Sequence, residues 1–575
     1  MSAGEEPSSS PAGSSAAVAL PAAADSTSER TARAQQPIEY RRYRAPRVHG
    51  QVLADPPLAD VPRLAAQNRE RLAEPSQQLW GVPADAWRQE ARRELLELAS
   101  TYTRAYRDWH IPDVPAVGTR YLVLTGHQPR LYHPGVWFKN FALDRIGKSL
   151  SAVAINLIVD NDLVGPAAIR VPTGSVTEPR LESVPYDRSA GDMPFEERTI
   201  CDPAMFAGFG QHAADCLRPL VSDPIVTSWW PVAVEESRAG ANLGLVLARA
   251  RHRLEGQWGT QTGEVPLSHV CDTVSFRRFL LRLWYDLPGL VAVHNAALDE
   301  YRRVHRIRSR SHPVPALESD GDWWEAPCWI WTRTDPKRRR LFVRSTASGC
   351  EITDRHALRR GLPAGALGDG AALERLAELA REGIRIRPRA LLTTLYARLL
   401  LGDLFIHGIG GGKYDQLTDA LVRRYFGWEP PNFLVLSATA ELPIERPRVD
   451  ATELAQFATQ LRDLRFNPDR HVAVSPETRP WIEAKRAALA MQPPPASLRQ
   501  RHTAIERANA ALQQAVTPLR ERLQAQRDQL ATRTRHDRLL ASREFAFCLF
   551  PATTLQALLL DKWENDYKLN ADPAG

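Results

Sequence analysis

The first strong pattern of apolar residues begins at Tyr121. The run Tyr121–Leu124 is short, apolar and rich in β-branched or aromatic side chains, which is typical of a buried strand. Pro134 then stands near the expected start of a helix. The apolar residues that follow at helical spacing are Val136, Phe138, Phe141, Ala142 and Ile146. The pattern therefore predicts a strand, a polar turn and a helix.

The predicted turn carries several polar side chains. We expect the backbone to turn sharply at Thr125 and Gly126, and His127, Gln128 and His133 follow. Such a turn lies outside the carboxyl end of its strand, where the free N–H groups of the next helix bind anions. We predict catalytic roles for the two histidines and cofactor contacts for the other three residues. The alternative is a plain turn with His133 as a helix cap.

Lys139 lies one turn further along the predicted helix. Only 7 of the 74 basic residues are lysines, so arginine is the usual cation of this chain. A lysine ammonium binds phosphate as a compact point charge. We therefore predict that Lys139 contacts an anionic cofactor, the alternative being a solvated surface charge.

A second apolar run, Ala152–Val159, predicts the next strand, and Asp160, Asn161 and Asp162 follow it. A crossover through one helix makes the two strands parallel, which places their polar ends at one edge of the sheet. This is the opening of a Rossmann-like α/β core. We predict Asp160 and Asp162 as catalytic residues that accept hydrogen bonds or hold Mg²⁺ beside a phosphate. An Asp-Asn-Asp turn with only local hydrogen bonds is the alternative.

Two later patterns predict further strands. Gly289–Val293 reads as a strand after an apolar helix. Trp323–Trp331 holds four tryptophans and, with Leu341–Val343, predicts a β-hairpin. We interpret these tryptophans as core residues or as the wall of a pocket.

A second strand-to-helix junction follows the run Leu404–Ile406. Its glycines are one residue short of a Walker A motif, and a tyrosine replaces the Ser or Thr that would bind Mg²⁺. A glycine loop still lets the backbone approach a ligand closely. The predicted cofactor contacts here are His407, Gly410, Gly411, Gly412, Lys413, Tyr414 and Asp415.

Heptad spacing marks the C-terminal region. Leu498, Ile505, Leu512 and Leu519 recur every seven residues, and a companion set begins at Val516. The pattern predicts a coiled-coil arm, kinked at Pro518, that packs on its own chain or forms a homodimer. We expect a homodimer.

Composition narrows the class of protein. The 575 residues suffice for more than one domain, and a formal net charge of +7 favours anionic ligands only weakly. The six cysteines have neither disulfide nor zinc spacing, and no signal peptide or membrane-spanning run is present, so we expect a cytoplasmic protein. No nucleic-acid partner is expected.

These motifs resemble the BshC family, the cysteine-adding enzymes of bacillithiol biosynthesis, as a distant branch of it. The resemblance rests on Thr125–Pro129, Lys139, Asp160–Asp162 and Gly408–Tyr414, and it spans residues 85–550 in the order of elements. It implies a Rossmann-like core with inserted segments and a dimerising coiled-coil arm. It also implies a ligase that adds cysteine, or a similar amino acid, to an amine-bearing sugar-type molecule, with ATP or ADP as the candidate cofactor.

Two other functions stay open on the sequence. Paired histidines after a first strand are also typical of nucleotidyl transferases, although the H-x5-H spacing here is longer than theirs. A non-catalytic scaffold built around the arm is the third alternative. The expected organisation is a disordered tail (1–36), a helical lead-in (37–118), a core (119–450, with insertions at about 166–223 and 300–385) and an arm with its tail (451–575).

Overall fold

The structure is a computed structural model, and it describes residues 40–109, 120–363, 370–446, 451–492, 494 and 497–563. The predicted disordered tail 1–36 lies outside the described residues. The fold is mixed α/β. Within the described ranges, no helix has the length and apolarity that a membrane span requires.

Helices and strands alternate through the first half of the chain and helices dominate the end. The helices are α1 Val61–Leu72, α2 Ala84–Arg104, α3 Pro134–Ser149, α4 Pro203–Leu217, α5 Val226–Ser237, α6 Leu243–Gln257, α7 Leu267–Cys271, α8 Val274–Tyr285, α9 Leu287–His305, α10 Gly370–Arg381, α11 Ala390–Tyr396, α12 Ile409–Leu421, α13 Ala451–Phe466, α14 Arg479–Ala490, α15 Leu498–Leu540 and α16 Ala552–Gln556. The strands are β1 Val52–Asp55, β2 Gln78–Leu79, β3 Val82–Pro83, β4 Leu122–His127, β5 Val153–Ile158, β6 Ala168–Gly174, β7 Pro179–Pro185, β8 Gly263–Pro266, β9 Ser319–Asp320, β10 Trp323–Thr332, β11 Asp335–Thr346, β12 Gly349–Thr353, β13 Arg359–Pro363, β14 Ile384–Pro388, β15 Leu404–His407 and β16 Phe433–Ala438.

The central sheet has six strands in the order β1-β16-β15-β4-β5-β8. Five of them are parallel, and only β1 runs antiparallel, beside β16. The predicted parallel pairing of the first two core strands is confirmed, since Leu122 pairs with Val153. The lead-in 37–118 is not wholly helical, because its strand β1 forms an edge of this sheet.

Both faces of the central sheet are buried. Val123 and Ile406 point to the face that packs on Phe138 of α3. Leu124 and Phe405 point to the opposite face, where α2, α8 and α9 contribute apolar side chains. Burial on both faces explains why the sequence shows continuous apolar runs there and no alternation.

Two local predictions are wrong. The backbone does not turn at Thr125 and Gly126, because β4 continues to His127 through parallel pairing with β5. Gly126 suits this position since a Cβ there would lie 3.3 Å from the Leu157 carbonyl oxygen. The apolar run Gly289–Val293 belongs to α9, which buries Leu290, Val291 and His294 on one helical face. Short apolar runs do not distinguish a strand from a buried helix.

A second sheet fills most of the predicted insertion 300–385. Its strands are antiparallel, in the order β13-β12-β11-β10-β14, with β9 beside β10. The predicted tryptophan hairpin is confirmed as β10 and β11. The earlier insertion, 166–223, contains the hairpin β6–β7 and the helix α4.

The arm is built around α15, a continuous helix of 43 residues that contains Pro518. It packs against α13 and α14 of the same chain, and Leu512 and Val516 are buried. Leu498 and Leu519 stay 52% and 38% exposed. After α15 the chain returns to the core, where Trp563 stacks on Phe138.

Candidate functional site

A cavity of about 510 Å³ opens at the carboxyl edge of the central sheet. It lies beside β4 and β15, the neighbouring strands at which the strand order reverses: β4 is followed along the chain by β5 on one side, and β15 by β16 on the other. Ligands of open α/β sheets bind at such a switch point. The first turns of α3 and α12 contribute Gly135 and Gly410 to the lining.

Lys139 lies at the floor of this cavity and is only 1% exposed. Its Nζ donates to the Gly126 carbonyl oxygen at 3.1 Å and to Thr125 Oγ1 at 3.4 Å. Among the described residues no carboxylate forms an ion pair with it. Burial, together with a smaller effect of Arg251, lowers the pKa of Lys139 to about 7. An anion bound here would restore the charged form.

Two of the predicted histidines line the same cavity, His127 and His133. Nδ1 of His127 lies 2.9 Å from the Gln128 carbonyl oxygen, an acceptor, so the neutral ring carries its lone pair on Nε2. Burial lowers the pKa of His127 to about 3, with a further contribution from Lys139. His133 is the N-cap of α3, where Nδ1 accepts from the Gly135 N–H at 3.1 Å, and burial lowers its pKa to about 4.

The two predicted aspartates separate. Asp160 is buried away from the cavity and accepts hydrogen bonds from the backbone N–H and the hydroxyl of Ser268, so it ties β5 to α7. Asp162 lines the cavity and accepts from Gln128 Nε2 at 2.7 Å and from Arg338 Nη1 at 2.9 Å. Burial raises the pKa of Asp162, but Arg338 and these hydrogen bonds bring it below its usual value.

The predicted glycine loop is the first turn of α12. Gly408 is the N-cap, so Gly410, Gly411 and Gly412 are helical, which corrects the prediction. Close packing explains two of the glycines: a Cβ at Gly411 would lie 2.6 Å from His407 Nδ1, and one at Gly412 would lie 2.5 Å from Val435 Cγ2.

His407 lines the cavity but belongs to a closed ionic network. Its Nε2 lies 2.8 Å from Asp415 Oδ2, which also accepts from Arg398 Nη1 at 2.7 Å. Burial raises the pKa of Asp415, but Arg398 and His407 outweigh it and hold the carboxyl ionised. Asp415 is therefore a partner of other side chains and does not line the cavity.

Ten of the fifteen predicted site residues line the cavity: Gly126, His127, Gln128, His133, Lys139, Asp162, His407, Gly410, Gly411 and Tyr414. Five do not: Thr125, Asp160, Gly412, Lys413 and Asp415. Thr125 is buried between strands and donates to the Ile406 carbonyl oxygen at 2.7 Å. Lys413 is half-buried on α12.

No local pattern in the sequence predicts that several arginines line the cavity. Arg338 and Arg389 lie over the Trp329 ring, with guanidinium carbons 4.9 and 4.2 Å from its centroid. Arg543 and His294 complete the basic lining. The tryptophan run predicts a pocket wall that includes Trp329, but Arg543 lies just after α15 and carries no local signal. The described lining thus holds one lysine and three arginines, Lys139, Arg338, Arg389 and Arg543, against one carboxylate, Asp162. This excess of positive charge favours an anionic ligand.

The chain was also compared with known proteins. No protein-family model matches it, and no curated protein does.

Proposed function

We propose that this protein is a BshC-like enzyme with a Rossmann-like core, which adds cysteine or a similar amino acid to an amine-bearing sugar-type molecule. One observation carries the proposal: Lys139 is a buried ammonium with no carboxylate partner among the residues that the structure describes, in a cavity at the switch point of a mostly parallel sheet. A buried cation normally has a partner, and here a bound anion would supply it.

The lining suits the chemistry of joining a carboxyl group to an amine. The carboxylate of the amino acid, or a phosphate that activates it, would bind Lys139 and the N–H groups at the starts of α3 and α12. The attacking amine must lose a proton as its C–N bond forms, and the lone pair on His127 Nε2 is a hydrogen-bond acceptor on the same cavity wall.

ATP is the proposed cofactor because amide formation from a carboxylate requires a leaving group, which a phosphoryl or adenylyl group supplies. Lys139 and the first turns of α3 and α12 would hold its phosphates. The described lining does not suit Mg²⁺, since its single carboxylate, Asp162, already accepts from Gln128 and Arg338. We therefore propose no step through a metal at this site.

A nucleotidyl transferase is the second candidate. It is favoured by one observation, that His127 and His133 line the same cavity despite their H-x5-H spacing. Both candidates bind a nucleotide, but only the ligase also binds an amino acid.

Ligand screening followed by a product assay tests the proposal. We expect the melting temperature of the full chain to rise with ATP or ADP and to rise again when cysteine is added. Incubation with ATP, cysteine and glucosamine, as a simple aminosugar, should give an amide product by mass spectrometry, with serine in place of cysteine as the matched substrate control. A nucleotide shift without any amino-acid effect would favour the nucleotidyl transferase. No shift with any of these ligands would favour the scaffold.

A homodimer through the arm remains part of the proposal. The chain itself buries Leu512 and Val516, but the heptad positions Leu498 and Leu519 are open to a second copy. Sedimentation should give the mass of a dimer for the parent and of a monomer for the variant Leu498→Glu with Leu519→Glu. An unchanged mass in that variant would contradict an interface through these two residues.

A further inference from the structure

We propose that Glu182, His212 and Cys216 form a zinc-binding site on the surface of the inserted segment 166–223. The three side chains offer one oxygen, one nitrogen and one sulfur ligand, all within 4.8 Å of one another. They do not line the cavity described above, so this site is independent of the proposed function.

Two secondary-structure elements place these ligands. His212 and Cys216 are four residues apart on α4, so they lie on one face of the helix. Glu182 reaches them from β7, on the hairpin against which α4 packs. The adjoining face of α4 buries Phe206 and Phe209 in the core, which fixes the helix against the hairpin without help from the three ligands.

Two of the three ligand pairs have separations close to those around a tetrahedral metal. Cys216 Sγ lies 3.5 Å from Glu182 Oε2, and His212 Nε2 lies 3.8 Å from Glu182 Oε1. Zinc bonds of about 2.0–2.3 Å at tetrahedral angles separate two ligand atoms by roughly 3.3–3.7 Å. Small side-chain rotations would therefore close the site around one ion.

The local charges also favour a cation. Among the described residues, His212 is the only ionic partner of Glu182. A divalent ion would bind the thiolate and the carboxylate together, and the thiol proton would pass to solvent.

The ligand set selects the metal. A thiolate and an imidazole suit Zn²⁺, whereas Mg²⁺ and Ca²⁺ prefer oxygen ligands. Three protein ligands leave a fourth position for water, and the half-exposed His212 and Glu182 side chains leave room for it.

A second group of potential metal ligands differs because protein donors already occupy its ligand atoms. His252, Glu255 and Glu264 also lie within 4.8 Å of one another, but all three are buried. Glu255 Oε1 already accepts from Trp137 Nε1 at 2.6 Å and from Arg251 Nη1 at 2.6 Å. Protein donors satisfy that cluster, whereas the ligands on α4 and β7 have mainly one another.

Cobalt spectroscopy of the metal-stripped full chain tests the site. We expect about one equivalent of Co²⁺ to bind, with tetrahedral d–d bands and a thiolate-to-cobalt charge-transfer band, and Zn²⁺ to displace it. Cys216→Ser should abolish the charge-transfer band. The matched control is Cys201→Ser, since Cys201 is another free thiol on the same inserted segment and is exposed.

The remaining ligands are tested by affinity. Changes outside the first coordination shell already weaken zinc binding by roughly 10- to 100-fold, so His212→Gln and Glu182→Gln should each weaken it by more than about tenfold. Both side chains are about half exposed, so circular dichroism of the metal-free variants should match the parent. Absence of a charge-transfer band in the parent, or a band that survives in Cys216→Ser, would overturn the proposal.

Discussion

Two strand-to-helix units of similar sequence pattern meet at the cavity, and they differ in how their charges are completed. In the unit β4–α3, the acceptors of the buried Lys139 within the described part of the chain are both uncharged oxygens. In the unit β15–α12, His407 and Asp415 form a buried network with Arg398. The first unit leaves a cation for an external anion to neutralise, and the second neutralises its charges internally.

The two units share one strand-to-helix motif, but their charged side chains have different partners. Both units end a parallel strand with a histidine and both contain a lysine on the helix, yet Lys139 lines the cavity and Lys413 does not. We infer that the first unit supplies the charged side chain that binds the ligand, whereas the second contributes backbone N–H groups and uses its charged side chains to hold its own strand and helix in place. The predictions below test this division.

The largest effect is expected from breaking the closed network. Arg398 is 1% exposed, and besides Asp415 it donates to Asp419 Oδ1 at 2.5 Å. Arg398→Ala leaves the buried Asp415 carboxylate and the partly exposed Asp419 carboxylate without this cation, so the free energy of unfolding should fall by roughly 3–5 kcal/mol. Urea unfolding measures this loss.

An exposed arginine provides the matched control. Arg381 pairs with Glu374 on the surface of α10, and both side chains are more than 60% exposed. Arg381→Ala should change the free energy of unfolding by less than about 1 kcal/mol. Equal losses in the two variants would mean that the network around Arg398 does not hold the second unit together.

The next effect concerns ligand affinity. Lys139→Met keeps the length of the side chain and removes its charge, so binding of ATP should weaken by roughly 1.5–3 kcal/mol, which is about ten- to more than a hundredfold. Lys413→Met should leave the affinity unchanged because Lys413 does not line the cavity. Isothermal titration of both variants measures the difference. A larger loss in Lys413→Met would reverse the roles that we assign to the two units.

The sequence predicts the strand, the helix and the parallel pairing of the first unit, although not where its strand ends, because the determinants of these elements are local. Parallel strands with buried faces, a proline at the helix start and a polar edge are each visible within about forty residues. The convergence of His127, Lys139, Asp162 and His407 follows from the parallel order of three strands. The predicted contact of Lys413 with the ligand fails because spacing alone does not show which side of α12 faces the cavity.

The sequence could not show the partners that come from distant segments. Arg338 and Arg389 reach the cavity from the second sheet, and Arg543 reaches it from beyond α15. The pairing of Arg398 with Asp415 neutralises the buried carboxylate of the second unit. Arginine is the most common cation in this chain, so no pattern in the sequence distinguishes Arg398 from the other arginines. These contacts depend on how the insertions and the arm pack, which no local pattern records.

The pH dependence of stability sharpens the contrast at Lys139. Burial lowers the pKa of Lys139 to about 7 in the folded chain, from about 10.5 when exposed. The unfolded chain therefore binds more protons between these values, and the contribution of Lys139 to stability rises with pH through that window. Between pH 7 and pH 8 the free energy of unfolding of the parent should gain about 1 kcal/mol relative to Lys139→Met. An equal pH dependence in the parent and in Lys139→Met would contradict this expectation.

The smallest effect on stability is expected from substitutions of the glycines of α12. These substitutions show whether a glycine is needed for ligand contact or for close packing. A Cβ at Gly410 would meet no atom within 4 Å, so Gly410→Ala should stabilise the helix by about 0.5 kcal/mol through a less flexible unfolded chain. A Cβ at Gly411 would lie 2.6 Å from His407 Nδ1, so Gly411→Ala should instead destabilise the protein. Both variants keep the backbone N–H groups, so Gly410→Ala should also keep the affinity for ATP. Thermal unfolding and titration measure the pair. If Gly410→Ala loses the ligand while gaining stability, the ligand occupies the open space beside this glycine and the added methyl group displaces it.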